Sequence, residues 1–270
     1  MKLSIITVNL NNVQGLKATY VSIAAQTFDD FEWIIIDGGS SDGSKEFIQD
    51  LSHGTCKWLS EPDNGIYNAM NKGVHLAEGE WFLFLNSGDY LYEDNTLDAV
   101  FANYSSADVL YGNIIAIEKE QNSTHYVEVK YKDNYSFRDF LQYNICHQAI
   151  LYRRRCFDNL RYDENYKVYS DLLLNMTLSL QDKKFEHLNL FITYFGRDGI
   201  STNQAILQSE LPRVFDQAAL LLIKHGNKSP TLIEELLKRR SCRLIISLAG
   251  RIAISLHTLL FRLEEITNKR

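Results

Sequence analysis

Four short apolar stretches, each followed at once by a cluster of polar residues, restrict this chain more than any other feature. They are Leu3-Ser-Ile-Ile-Thr-Val8, Phe31-Glu-Trp-Ile-Ile-Ile36, Lys57-Trp-Leu59 and Trp81-Phe-Leu-Phe-Leu85. The first two are β-branched and nearly continuous in apolar character, as strands buried on both faces are. Between them, Asn12 to Gln26 sets Val13, Leu16, Tyr20, Val21, Ile23 and Ala24 at near-helical spacing, and Lys45 to Leu51 and Tyr67 to Ala77 predict two more helices. Strand and helix in alternation predict an α/β fold with a mostly parallel sheet clothed by helices on both faces. The polar clusters are Asn9, Asp37 to Asp42, Glu61 to Asn64 and Asn86 to Asp89. Each follows a strand, so all should gather at the carboxyl edge of the sheet, where loops and helix starts point their donors into one crevice.

Composition narrows the class. In 270 residues, 45% hydrophobic and 23% charged, with 14 Gly and 3 Pro, there is room for one large α/β domain with appendages and little for a long linker. The net charge is −6, and apart from Arg153 to Arg155 no basic run precedes residue 238, which argues against nucleic acid as a partner. Cys56, Cys146, Cys156 and Cys242 form no CxxC pair, as suits a reducing cytosol rather than a zinc site or disulfide framework. Leu3 to Val8 is too short for a signal-peptide core, so the chain is expected to start inside its fold and to be cytoplasmic.

Beyond Asp94 the pattern predicts a helix over Asn95–Asn103, strands near Val109–Ile117 and Tyr126–Tyr131, a short helix near Phe137–Gln142 and a strand at Ala149–Tyr152. Helices over Leu172–Leu180 and Ala205–His225 complete the series. Residues 231–270 hold eight Lys or Arg against four Glu. On a helix, Ile245, Leu248, Ile252, Leu256, Leu259, Leu263 and Ile266 share one face, opposite Arg243, Ser247, Arg251, Ser255, Thr258 and Arg262. Arg251 and Arg262 interrupt any window of about 20 apolar residues, so the segment does not span a bilayer. It suits an anionic membrane surface through 241–270, at the inner face of the plasma membrane. It suits equally a seat on its own domain or a homo-oligomer.

Ile36-Asp-Gly-Gly-Ser-Ser-Asp-Gly43 runs from a strand into a helix, yet it lacks the G-x-G-x-x-G spacing and no Walker lysine follows. Asp89, at a strand end, is placed either to hold a divalent cation or to cap the next turn. His147 stands between Cys146 and Gln148. Neighbouring side chains on an extended segment point apart, which disfavours a Cys-His dyad and leaves a substrate contact or a structural histidine. Arg153 to Arg155 are either a phosphate contact or a solvated turn with one inward stem.

Taken together, six ordered motifs resemble the family-two glycosyltransferases of the Rossmann-like, A-type nucleotide-diphospho-sugar fold. They are Ile5-Ile-Thr-Val-Asn9, Ala25-Gln-Thr-Phe28, Ile36 to Gly43, Ser60-Glu-Pro-Asp-Asn-Gly-Ile-Tyr-Asn-Ala-Met-Asn-Lys-Gly73, Ala77-Glu-Gly-Glu-Trp81 and Asn86-Ser-Gly-Asp89. Cys146-His-Gln-Ala149 and Tyr169-Ser-Asp171 extend the likeness to about 200 residues. The resemblance implies a transferase domain over 1–203 and a C-terminal helical extension over 204–270. It implies that Thr7, Asn9, Asp37, Asp42 and Asp63 bind the nucleotide, that Asp89 holds Mn²⁺ or Mg²⁺, and that Asp171 is the catalytic base. His147 and Gln148 would meet acceptor or phosphate. The implied reaction moves a sugar, with inversion, from a UDP- or GDP-linked donor to a hydroxyl of a glycan or lipid-linked acceptor in cell-surface polysaccharide or lipopolysaccharide assembly. Two departures stand out: Asp37 is followed by Gly38 where many relatives have paired acids, and the metal motif keeps a single carboxylate. A non-catalytic sugar-nucleotide-binding module and a sugar-nucleotide pyrophosphorylase are the other readings. The latter would want an early glycine-rich loop with Arg and Lys, which Val8 to Lys17 does not supply.

Overall fold

β1 (Leu3–Asn9) is buried along its whole length, because it lies between two parallel neighbours and under helices on both sides. The computed structural model describes residues 1–51, 56–102, 105–120, 123–196 and 199–225. The amphipathic basic segment expected over 231–270, and Cys242 within it, lie outside the described residues.

In chain order, β1 is followed by α1 (Val13–Ala24), β2 (Phe31–Asp37), α2 (Ser44–Leu51), β3 (Lys57–Ser60), α3 (Ile66–Leu76) and β4 (Trp81–Phe84). Then come β5 (Tyr90–Leu91), α4 (Thr96–Phe101), β6 (Val109–Glu120), β7 (Ser123–Val129), α5 (Phe137–Phe140), β8 (Ile150–Arg153), α6 (Ser170–Leu180), β9 (Phe185–Gly196) and α7 (Gln204–Lys224). The sheet order is β3-β2-β1-β4-β8-β6-β9-β5, with β7 paired to β6. The half from β3 to β4 is wholly parallel. β8 enters antiparallel between β4 and β6, β9 runs parallel to β6, and β5 closes the edge antiparallel to β9.

The alternation of side chains along the strands sorts the helices onto the two faces. Leu3 and Ile5, Trp33 and Ile35, and Trp81 and Leu83 share a core with Leu16 and Ile23 of α1 and Ile48 of α2. Burying each of these aliphatic side chains contributes about 1.5–3 kcal/mol. The other face receives α3, which approaches so closely that a Cβ at Gly73 would lie 2.4 Å from Ile6 Cγ2. Only glycine admits that contact. Phe82 and Phe84 on the same side pack against Phe157, and Phe84 also against Tyr162.

Three strands depart from the expected pattern, among them the two-residue β5, which is too short to carry a period of its own and is held by pairing with β9. β9 was not foreseen: His187, Asn189 and partly exposed neighbours break any period of two, and only its pairing along β6 holds it as a strand. β7 begins earlier than Tyr126 and is exposed over nearly its whole length, so burial gave no signal for its start. The expected boundary at 203/204 falls at the N-cap of α7, where the Asn203 side chain accepts from the Ala205 and Ile206 N–H groups. α7 then packs on α6, and the first compact unit runs Met1–Lys228.

Candidate functional site

The carboxyl ends of β1, β2 and β3 meet in register at Asn9, Asp37 and Ser60. Asp37 is fully buried, and its oxygens accept from Asn9 Nδ2 (2.8 Å), Ser40 N (3.0 Å), Ser40 Oγ (2.5 Å) and Ser60 Oγ (2.7 Å). Burial pushes its carboxyl pKa up, but the hydrogen bonds from Ser40, Ser60 and Asn9 outweigh that effect and hold it below the ordinary value. Asn9 Oδ1 is left buried without a hydrogen-bond partner. The following loop folds back over this corner: Asp63 Oδ2 lies 3.1 Å from where a Gly38 Cβ would stand, so the absent side chain after Asp37 is what lets Asp63 close in. Lys72 of α3 fixes that loop, reaching Glu61 at 2.8 Å and Asp63 at 2.5 Å.

Asn9, Asp37 and Asp63 thus converge. Asp42 is exposed and joins the starts of α1 and α2, accepting from Val13 N at 2.8 Å and from Ser44 Oγ at 2.6 Å. The Ser44 hydroxyl is the main cause holding its carboxyl pKa below the usual value. Thr7 does not reach the cleft: it is fully buried, and its hydroxyl accepts from Trp33 Nε1 at 2.9 Å within the core under α1.

The loop after β4 carries Asn86 and Asp89 and is held by α1. Asn12 donates to Ser87 O at 3.0 Å while its Oδ1 caps Gly15 N, and Thr19 Oγ1 donates to Asp89 O at 2.8 Å. Gly88 turns the chain there at φ 100°, in the left-handed region that favours glycine. Asp89 is nearly buried; its Oδ2 accepts from Gln148 Nε2 at 2.9 Å and its Oδ1 from Gly196 N at 3.3 Å.

Next to Gln148, in the 3-10 turn His147–Ala149, His147 faces two partners. Its Nε2 lies 3.0 Å from Asn86 Nδ2 and its Nδ1 lies 3.4 Å from Asp171 Oδ2. Asp171 stands in the first turn of α6, where its Oδ1 accepts from Leu172 N at 2.7 Å and lies 3.3 Å from Tyr67 Oη. Tyr67 donates to Val168 O at 2.6 Å, and burial, then the Asp171 charge, pushes its phenol pKa far up. Glu210 of α7 accepts from Lys167 N (2.5 Å) and Val168 N (3.0 Å), fixing the loop that leads into Asp171.

The expected residues Asp89, His147, Gln148 and Asp171 therefore form one connected group. Thr19, Tyr67 and Glu210 support it without having been foreseen. Tyr67 lies in a motif quoted above but had no distinguishing signal, and a lone Glu in a helical stretch carries none. Among the described residues no group of three or more His, Cys, Asp or Glu side chains could hold a metal ion. The loop after β4 nevertheless carries oxygen donors: the Asp89 carboxylate, which accepts from Gln148 and Gly196 N, and Asn86 Oδ1, which is buried without a hydrogen-bond partner. Such a set fits a hard divalent cation that takes its other ligands from a phosphate and water. Arg153 lies at the opposite edge: it is buried over the Trp81 ring, 4.4 Å from its centroid, and bonded to Ala107 O and Ser105 O, while Arg155 pairs with Asp108. It is the inward stem of a turn.

Residues 4–161 match the profile described as glycosyl transferase family 2. A PGL/p-HBAD biosynthesis glycosyltransferase of Mycobacterium tuberculosis is 37% identical over 181 residues, 64% of this chain and 68% of that protein. Among solved structures, Staphylococcus aureus TarS 1-349 in complex with UDP-GlcNAc superposes with a TM-score of 0.71 at 20% identity, over 90% of this chain and 72% of that one. The mannosyltransferase PcManGT from Pyrobaculum calidifontis, in complex with GDP-Man and Mn²⁺, superposes at 0.59 with 12% identity, over 98% and 80%. At such identities these two structures establish the fold, which is the A-type glycosyltransferase fold.

Proposed function

Because this chain belongs to glycosyl transferase family 2 and is a glycosyltransferase, we propose that it transfers one sugar, with inversion, from a UDP- or GDP-linked donor to a hydroxyl of a glycan or lipid-linked acceptor in cell-surface polysaccharide assembly. The observation that carries this reading is the turn at 147–149, which joins two carboxylates remote in sequence: Gln148 bonds Asp89, and His147 faces Asp171. One carboxylate serves the leaving group and the other the attacking hydroxyl.

Asn9 and Asp63 bind the nucleoside end of the donor, with Asn9 Oδ1 as an unclaimed acceptor, while the buried and fully hydrogen-bonded Asp37 carboxylate acts indirectly, by holding Asn9, Ser40 and Ser60 in place. Asp42 acts indirectly, by setting the starts of α1 and α2. Asp89 and Asn86 Oδ1 would hold Mn²⁺ or Mg²⁺, which would supply charge neutralisation to the departing diphosphate. Asp171 accepts the proton of the acceptor hydroxyl as its oxygen bonds the anomeric carbon, while the bond from that carbon to the diphosphate oxygen breaks and its electron pair leaves with the diphosphate. Attack from the face opposite the leaving group inverts the anomeric centre. Solved relatives in complex with UDP-GlcNAc and with GDP-Man support both nucleosides as candidates.

Purified protein incubated with a panel of nucleoside diphosphate sugars and glycan acceptors should release UDP or GDP only with a divalent cation. Release of pyrophosphate, or release indifferent to chelation, overturns the reading. No described helix is long and apolar enough to cross a membrane, and the basic segment 241–270 supports peripheral attachment to an anionic surface. Deleting 241–270 should abolish sedimentation with phosphatidylglycerol vesicles; sedimentation that persists rejects the attachment.

A further inference from the structure

We propose that His147 is a positioning residue: held in a single tautomer, it ties the loop bearing Asn86 and Asp89 to the Asp171 carboxylate and touches neither donor nor acceptor. This rests on the transfer reading above and assigns the coupling within its site. The tautomer follows from the partners. Asn86 Nδ2 can only donate, so His147 Nε2, 3.0 Å away, accepts and the ring proton sits on Nδ1. That N–H faces Asp171 Oδ2, the carboxylate oxygen that Leu172 N does not hold. Both ring nitrogens are thereby engaged, and with the side chain only 13% exposed the ring keeps no polar atom for a substrate.

The turn that carries His147 is itself anchored. Cys146 N donates to Tyr131 Oη at 3.0 Å, Ala149 N donates to Cys146 O at 2.9 Å, and β8 begins at the next residue. A fixed turn makes the imidazole a rigid link between two side chains remote in sequence. When a cation or a donor hydroxyl engages Asn86 Oδ1, the amide is held with Nδ2 toward the ring, the proton stays on Nδ1, and the Nδ1–H holds the Asp171 carboxylate in orientation. The 3.4 Å contact is long for a hydrogen bond and is expected to shorten in the loaded site. Donor binding thus orients the base before the acceptor hydroxyl arrives.

The test uses the full chain labelled with ¹⁵N-histidine, the His147 signal being identified by its loss in His147→Asn. Long-range ¹H–¹⁵N spectra should show Nδ1 protonated and Nε2 bare; a proton on Nε2, or averaging between the two, overturns the proposal. In kinetics, His147→Ala should lower kcat about 10- to 100-fold, the range for outer partners of site ligands. Donor and acceptor KM should stay within about two-fold. His147→Asn, whose amide N–H falls near the Nδ1 position, should recover much of kcat, and His147→Gln should not. In an Asp171→Asn background the His147→Ala loss should largely vanish, because the residues act as a unit. A raised KM with kcat intact makes His147 a substrate contact and overturns the proposal. If wild-type protein transfers no sugar, the transfer reading fails, while the tautomer spectrum still decides the proposal.

Discussion

Asp37 and Asp171 are both buried acids, and their surroundings differ in kind. Asp37, at the end of β2, receives short hydrogen bonds from three side chains and a backbone N–H. Asp171, at the start of α6, has one short backbone bond and two longer contacts, to Tyr67 and His147. A carboxylate saturated with donors is locked in its ionised form and acts as a fixed dipole acceptor for the corner around it. One that is sparsely supplied keeps a lone pair for an incoming proton. On the proposed reading the corner around Asp37 is thus scaffold, and the group around Asp171 is machinery. The orphaned Asn86 Oδ1 beside His147 belongs to the second kind.

The largest expected effect breaks the comparison on the machinery side. Asp171→Asn keeps the size and removes the basicity, so kcat should fall about 10²- to 10⁴-fold while donor affinity, read by calorimetry, is nearly unchanged. Unchanged turnover would remove Asp171 from its role. Asp37→Ala tests the scaffold side: it strips Asn9, Ser40 and Ser60 of a charged partner and should cost about 3 kcal/mol in denaturant unfolding. The same carboxylate fixes a pH signature. Its native pKa lies below the unfolded value of 3.8, so its stabilisation is complete above that value and is lost as pH falls through the native one. Wild type should therefore lose stability steeply below about pH 4, and Asp37→Ala less steeply. Smallest is Gln148→Ala, which removes an outer partner of Asp89: the divalent concentration for half-maximal activity should rise about 10-fold. No change there would mean that Asp89 needs no orientation.

The parallel half of the sheet was legible because its strands are buried on both faces, and its polar clusters follow at fixed phase. Asn9, Asp37, Asp63 and Asp89 were therefore placed along one edge of the sheet from sequence alone. β9 was not legible, although it delivers Gly196 N to Asp89, because its side chains are half exposed and only pairing with β6 defines it. Thr7 shows the opposite failure. Its place in a motif suggested the cleft, but it lies two residues short of Asn9 on the same face of β1, under the core, where its hydroxyl accepts from Trp33 Nε1.

Sequence by itself determined the alternation, the carboxyl-edge position of the polar loops and the kinds of side chain available there, since these depend on local period and on the direction of the chain. Tertiary structure alone decided which carboxylate is saturated and which is spare, that His147 bridges Asn86 to Asp171, and that Glu210 of the last described helix steadies the loop before Asp171. Those outcomes depend on which groups from distant segments meet within about 3 Å, the reach of a hydrogen bond, and no local pattern encodes that meeting.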